Sequence, residues 1–140
     1  LNERKVPAMA FFHMPPAEFK EAYEKMKLGD HSVIYEHGSI GEKNEYFGIS
    51  NRPPHFFEKA VDNSWLKWIF CGHDHLNTLS LTYKGIRMTY GMSIDYLGYS
   101  GIAKQYIQRG ATLITRKTDG NIDITMVPLT TVVSTRVRGA

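Results

Sequence analysis

Two rhythms of apolar residues divide this chain near His75. Before it, apolar positions come in short runs and in helical spacing; after it, they alternate one for one with polar positions. Val6 to Phe12 is apolar without alternation and ends at His13, the pattern of a strand covered on both faces. Met14-Pro15-Pro16 breaks that strand, and Phe19, Ala22, Tyr23 and Met26 then fall at i, i+3, i+4 and i+7, which predicts an amphipathic helix. Glu18 and Glu21 lie early in it and Lys25 and Lys27 late, complementing the helix dipole, and Gly29 is placed to end it. Residues 28–52 are polar and glycine-punctuated and read as one long loop, with His31 and His37 as solvent-exposed loop histidines. A second helix is expected after Pro53-Pro54, with Phe56, Phe57, Ala60 and Val61 on its apolar side and His55, structural or exposed, in its first turn. Trp65 to Phe70 has the aromatic and β-branched content of a buried strand, which completes a βαβ-type crossover.

Beyond His75, Leu79, Leu81 and Tyr83 alternate with Thr78, Ser80 and Thr82, and Ile86, Met88 and Tyr90 alternate again after Lys84-Gly85. This predicts a hairpin. Residues 91–110 have no period and read as a loop. Ala111–Arg116 and Asn121–Val127 flank Asp119-Gly120 as a last hairpin. The Thr/Val-rich stretch 128–140, basic at its end, is read as an edge strand or a free tail.

Composition narrows the function classes. At 140 residues and 42% hydrophobic, the chain has the size and content of one ordinary domain rather than a disordered segment. No apolar run approaches the ~20 residues that cross a bilayer, and no basic-then-apolar leader is visible. The chain starts Leu-Asn-Glu-Arg-Lys without Met, so it is read as a processed or truncated piece, and compartment stays open. The net charge of +3 comes from scattered lysines and arginines with no basic stripe, which argues against nucleic acid and for a solvated surface. One cysteine, Cys71, rules out an internal disulfide and a cysteine-based zinc cage, and reads as a small buried apolar side chain.

Candidate chemistry sits in Cys71-Gly72-His73-Asp74-His75, directly after the second strand. Gly72 removes a side chain where the backbone must bend. A bare His-x-His pair is a polar turn as readily as a metal site, but His13 ends the first strand. Ligands of open sheets built from βα units gather outside the carboxyl ends of strands, so parallel neighbours would bring His13, His73 and His75 to one edge as metal donors. If the segment stays extended, Asp74 points away from its flanking histidines and takes a supporting or turn role. Asn77 reads as a turn or capping residue. Tyr96 and Tyr99 either shape a ligand pocket or pack over a sheet edge.

Phe12-His13-Met14-Pro15, followed about sixty residues later by Gly72-His73-Asp74-His75, resembles the last two sequence blocks of calcineurin-like metallophosphoesterases, most similarly the single-domain purple-acid-phosphatase-like phosphatases. Gly41-Glu42-Lys43, Phe70-Cys71, Asn77, Ile86–Gly91 leading to Tyr96–Gly101, and Arg109–Ile114 support it. The resemblance runs from Val6 to Val127 and implies an α/β (mixed α+β) fold, the C-terminal half of a four-layer αββα sandwich, with residues 1–127 as that part of the catalytic domain. It implies that the strands after His75 belong to the second sheet. It also implies two metal ions (zinc, iron or manganese) with a bridging hydroxide that hydrolyses a phosphate ester, His13 and His73 binding one ion and His75 the other.

The departure is large. The family's Asp-x-His, Gly-Asp-x-x-Asp and Gly-Asn-His blocks are absent, and none of the fourteen acidic residues forms an Asp-x-His. The bridging carboxylate and the histidine that assists the leaving group are therefore missing. The expectation is a chain inactive alone that binds at most one metal weakly and needs an N-terminal half or another chain. Two rivals are a non-catalytic interaction domain that keeps the half-fold, and a small structural-metal protein.

Overall fold

The computed structural model describes residues 5–49, 55–105 and 108–129, and the chain divides into two compact units, Leu1–Gly91 and Met92–Ala140. In the first unit the order is β1 (Ala8–Phe12), α1 (Ala17–Lys27), β2 (Val33–His37), α2 (His55–Asn63), β3 (Leu66–Cys71), β4 (Ser80–Tyr83) and β5 (Ile86–Tyr90). These strands form one mixed sheet in the order β1-β3-β5-β4-β2. β1, β3 and β5 run parallel, and β4 is antiparallel to β5 and β2. The fold is thus mixed α/β, compatible with a fragment of a phosphoesterase fold.

Both helices follow from their apolar stripes. α1 buries Phe19 and Ala22, and α2 buries Phe57 and Ala60. They join one core with Ile69, Met88 and Leu81, which lie directly opposite one another across β3, β5 and β4 and so share one sheet face. α1 closes where expected: the Gly29 amide donates to the Met26 carbonyl and the Asp30 amide to the Lys25 carbonyl, a paired C-terminal cap. The Lys84-Gly85 turn has positive φ at both residues (49° and 77°), the geometry that matches strand twist in a two-residue hairpin. The Pro53-Pro54 start of the second helix and the tail from residue 130 lie outside the described residues. Among the described residues no helix is long and apolar enough to cross a membrane.

Four expectations are corrected. β1 is an edge strand with one face open: Phe11 is 64% exposed, and it stacks on Phe70 at 5.0 Å, so its lack of alternation did not mean two-sided burial. The expected long loop contains β2, because Val33-Ile34-Tyr35 supplies a strand edge for β4, with a shift in register between Tyr35 and His37. Of the strands after His75, β4 and β5 join the first sheet instead of starting a second one, and only the pair formed by residues 110–116 and 122–128 makes a separate sheet. β5 returns parallel to β3, since that register places Met88 and Tyr90, both fully buried, on the helix-covered face.

The fourth correction concerns His37. His31 and His55 are exposed, but His37 is half-buried on β2 beside Arg87 of β5. Arginine only donates, so His37 Nδ1, 3.2 Å from Arg87 Nη2, accepts and the proton sits on Nε2. Nε2 is buried without a hydrogen-bond partner among the described residues. Arg87 also donates from Nε to Ser80 Oγ at 3.0 Å and pairs with Glu36 at 3.5 Å.

Burial first, then the Arg87 charge, hold His37 below the ordinary imidazole value of 6.5, against the pull of Glu36. The unfolded chain therefore takes up this proton at higher pH than the folded one. The stability due to neutral His37 is complete above 6.5 and is lost as pH falls through the lower folded value. Glu18, raised above 4.5 mainly by burial, acts in the opposite sense: its contribution is complete below 4.5 and is lost as pH rises through the folded value. His37→Gln separates the two. The fall in urea midpoint from neutral pH to about pH 5 is expected to be larger in the wild type than in His37→Gln; equal falls would remove His37 as the cause.

The second unit holds β6 (Gly110–Arg116) and β7 (Ile122–Pro128), paired antiparallel from Gly110 opposite Pro128 to Arg116 opposite Ile122, as the alternation implied. Its loop is organised by Arg109, 99% buried, whose guanidinium donates to the carbonyls of Asp95 (2.7 Å) and Ile102 (3.2 Å) and lies 5.1 Å over the Tyr96 ring. Asp95 in turn accepts from the amides of Leu97 and Gly98.

Candidate metal centre

β1 and β3 are parallel with Phe12 opposite Cys71, so His13 and Gly72 leave the sheet together. The ladder continues one step past the strands: the Gly72 amide donates to the His13 carbonyl at 3.0 Å, and the Gly91 amide to the Cys71 carbonyl at 2.8 Å. The chain after β3 is thereby held from both sides. The rings of His13 and His73 lie 5.1 Å apart, near parallel at 19°. His13 is exposed and His73 half-buried.

The segment does not stay extended. His73 has φ +70°, and the Asp74 amide donates back to the Gly72 carbonyl at 2.9 Å, a three-residue turn of the rare left-handed kind. The turn drives Asp74 inward, where it is buried and accepts from the Gly48 amide at 2.9 Å and from the Tyr90 hydroxyl at 2.6 Å. Burial first, then the Asp74 hydrogen bond and charge, push the Tyr90 phenol far above its usual value, so it remains a donor. Burial and Asp74 likewise push the Cys71 thiol well up, leaving it neutral, the small buried side chain expected.

Asn77 is fully buried and ties down the preceding loop. Its Oδ1 accepts from the amides of Gly41 (3.0 Å) and Glu42 (3.1 Å), and its Nδ2 donates to the Tyr46 carbonyl at 3.1 Å. Glu42 Oε1 accepts from the Leu76 amide at 3.1 Å. Residues 38–49 thus lie across the turn that carries the histidines. Gly48 is the closest point: a Cβ there would come within 2.6 Å of the His73 ring and 2.7 Å of Asp74 Oδ1.

Of the residues singled out by sequence, His13 and His73 are brought together, and Gly72, Asp74 and Asn77 build the turn and its bracing. His75 follows, half-buried. Among the described residues no set of three or more His, Cys, Asp or Glu side chains is arranged to hold a metal ion. The buried carboxylate nearest in sequence, Asp74, is occupied by Gly48 and Tyr90. Two imidazoles at adjacent strand ends fit one wall of a centre; the side chains present do not fit a complete two-metal site. Tyr96 and Tyr99 belong to the second unit, partly exposed, Tyr96 beneath Arg109. Gly48 and Tyr90 were not foreseen as parts of the site. Tyr90 had a legible signal, ending an alternating strand, but its parallel pairing with β3 did not.

No protein-family model matches the chain, and no solved structure matches it. Two Arabidopsis thaliana proteins do. Probable inactive purple acid phosphatase 29 is 27% identical over 98 residues, covering 70% of this chain and 22% of that protein. Probable inactive purple acid phosphatase 28 is 30% identical over 93 residues, 66% of this chain and 20% of that protein. The chain spans about a fifth of the length of these curated relatives. The likeness supports a purple-acid-phosphatase-like family at that coarse level.

Proposed function

We propose that this chain carries one wall of a purple-acid-phosphatase-like site, with His13, His73 and His75 as its donors, in a protein that acts on phosphate esters. The observation that carries the reading is the side-by-side placement of His13 and His73 at the ends of two parallel strands. The likeness to the two plant proteins supports it. Metal ions bound there would neutralise phosphate charge and activate water. The chain's own part is to hold its imidazoles in fixed orientation; the carboxylates that balance a pair of dications come from polypeptide outside it, as does any leaving-group acid. The substrate is a phosphate ester, and nucleic acid and membrane have no part in the reading.

A second reading, a non-catalytic domain that keeps the fold, draws on the names of both relatives, which call them inactive. Titration of the full chain with zinc or manganese, followed by calorimetry, separates the two. One weak site, weakened further by His73→Ala, and no turnover of a chromogenic phosphomonoester are expected. Absence of binding would leave the non-catalytic reading. Steady turnover abolished by His73→Ala would show that the chain is a whole enzyme and not one wall.

A further inference from the structure

Asp74, the third residue of Gly72-His73-Asp74-His75, faces away from the edge at which His13 and His73 meet. Asp74 is 95% buried, and its carboxylate is gripped by the Tyr90 hydroxyl at the end of β5 and by the Gly48 amide in the loop before α2. The residue before it has a backbone conformation that L side chains rarely adopt, φ +70° at His73, and such a conformation persists only where its surroundings enforce it. Asp74 is the nearest enforcing group. It anchors one end of the turn to the sheet through Tyr90, while the Gly72 amide anchors the other end to the His13 carbonyl. Gly48, without a side chain, lets the loop backbone close against both Asp74 and the His73 ring.

We infer that Asp74 is a positioning residue: held by Tyr90 and Gly48, it fixes His73 in the left-handed turn that lays its ring beside His13. Its carboxylate serves the polypeptide rather than a ligand, and it couples the loop at Gly48 to the orientation of the histidine. The functional meaning rests on the proposed reading of His13 and His73 as donors; the structural test does not.

The test compares the full wild-type chain with Asp74→Ala, Asp74→Asn and Tyr90→Phe, reading the His73 and His13 ring signals by NMR and zinc affinity by calorimetry. In Asp74→Ala the His73 ring signals are expected to move away from those of the stacked pair, and zinc affinity to fall about tenfold, the usual cost of losing the group that orients a histidine ligand. Asp74→Asn, which can still accept from Gly48, is expected to keep the wild-type ring signals. Tyr90→Phe removes one hydroxyl from an otherwise intact core, so it gives a folded protein with a partial shift even where Asp74→Ala fails to fold. Unchanged His73 ring signals in a folded Asp74→Ala, or in Tyr90→Phe where that chain alone folds, would overturn the inference, whatever the melting temperature does. Ring signals that move in a chain that binds no zinc would uphold it and sink the metal reading instead.

Discussion

Replacing Asn77 with alanine is expected to cost about 3 kcal/mol and to release residues 39–48 from the turn that carries His73. Asn77 has no solvent exposure, and its side-chain amide satisfies three backbone groups, the amides of Gly41 and Glu42 and the carbonyl of Tyr46. Alanine offers none of these partners. Each buried group left unpaired costs ~1–3 kcal/mol, and water entering the gap recovers part of that. The urea midpoint should drop, and the Gly41 and Glu42 amides should exchange hydrogen faster than those of β3. Unaltered exchange at both amides would show that Asn77 does not hold this loop. The nearby Glu42–Leu76 and Ser39–Thr78 bonds remain in the variant, so the loop should loosen from its middle and not detach as a whole.

Phe19→Ala is expected to cost about 4 kcal/mol. Phe19 is fully buried on α1, with its ring 4.8 Å from Tyr90 in a stack and 6.0 Å from Phe47 edge-on. It therefore joins the helix, the end of β5 and the loop residue directly before Gly48. Truncation removes the aromatic contacts and leaves a cavity that three separately anchored elements cannot close. Thermal unfolding by calorimetry reads the loss; a change below about 1 kcal/mol would mean that the core collapses into the space. Because Tyr90 stacks on Phe19 and donates to Asp74, the variant should also disturb the His73 ring signals.

The α1 stripe, the two hairpins and the strand before Gly72 were all legible from residue order. Each depends on contacts or spacings within about ten residues, where periodicity and turn chemistry dominate. The candidate pair was legible for the same reason: a histidine at each of two strand ends needs only parallel neighbouring strands to meet. β2 was hidden because three apolar residues between polar ones make no pattern of their own; β4 makes them a strand by offering an edge. The sheet assignment of the β4–β5 hairpin was hidden because alternation reports that one face is buried, never which sheet buries it. His37 looked like a loop histidine because nothing near it in sequence signals Arg87, fifty residues away.

The role of Asp74 shows where the division falls. Residue types alone settled that Gly-His-Asp-His follows a buried strand, that His13 ends another, and that the carboxylates of a two-metal centre are absent from these positions, since spacing and composition are properties of the chain itself. That Asp74 turns inward was decided by tertiary structure. Its partners, an amide 26 residues earlier and a hydroxyl 16 residues later, come within reach only once β5 lies beside β3 and the loop at Gly48 closes over the turn. The left-handed backbone at His73, unfavourable in isolation, is held by those same long-range bonds. Local sequence places the histidines at the strand ends, and only the assembled sheet and loop set the direction in which they point.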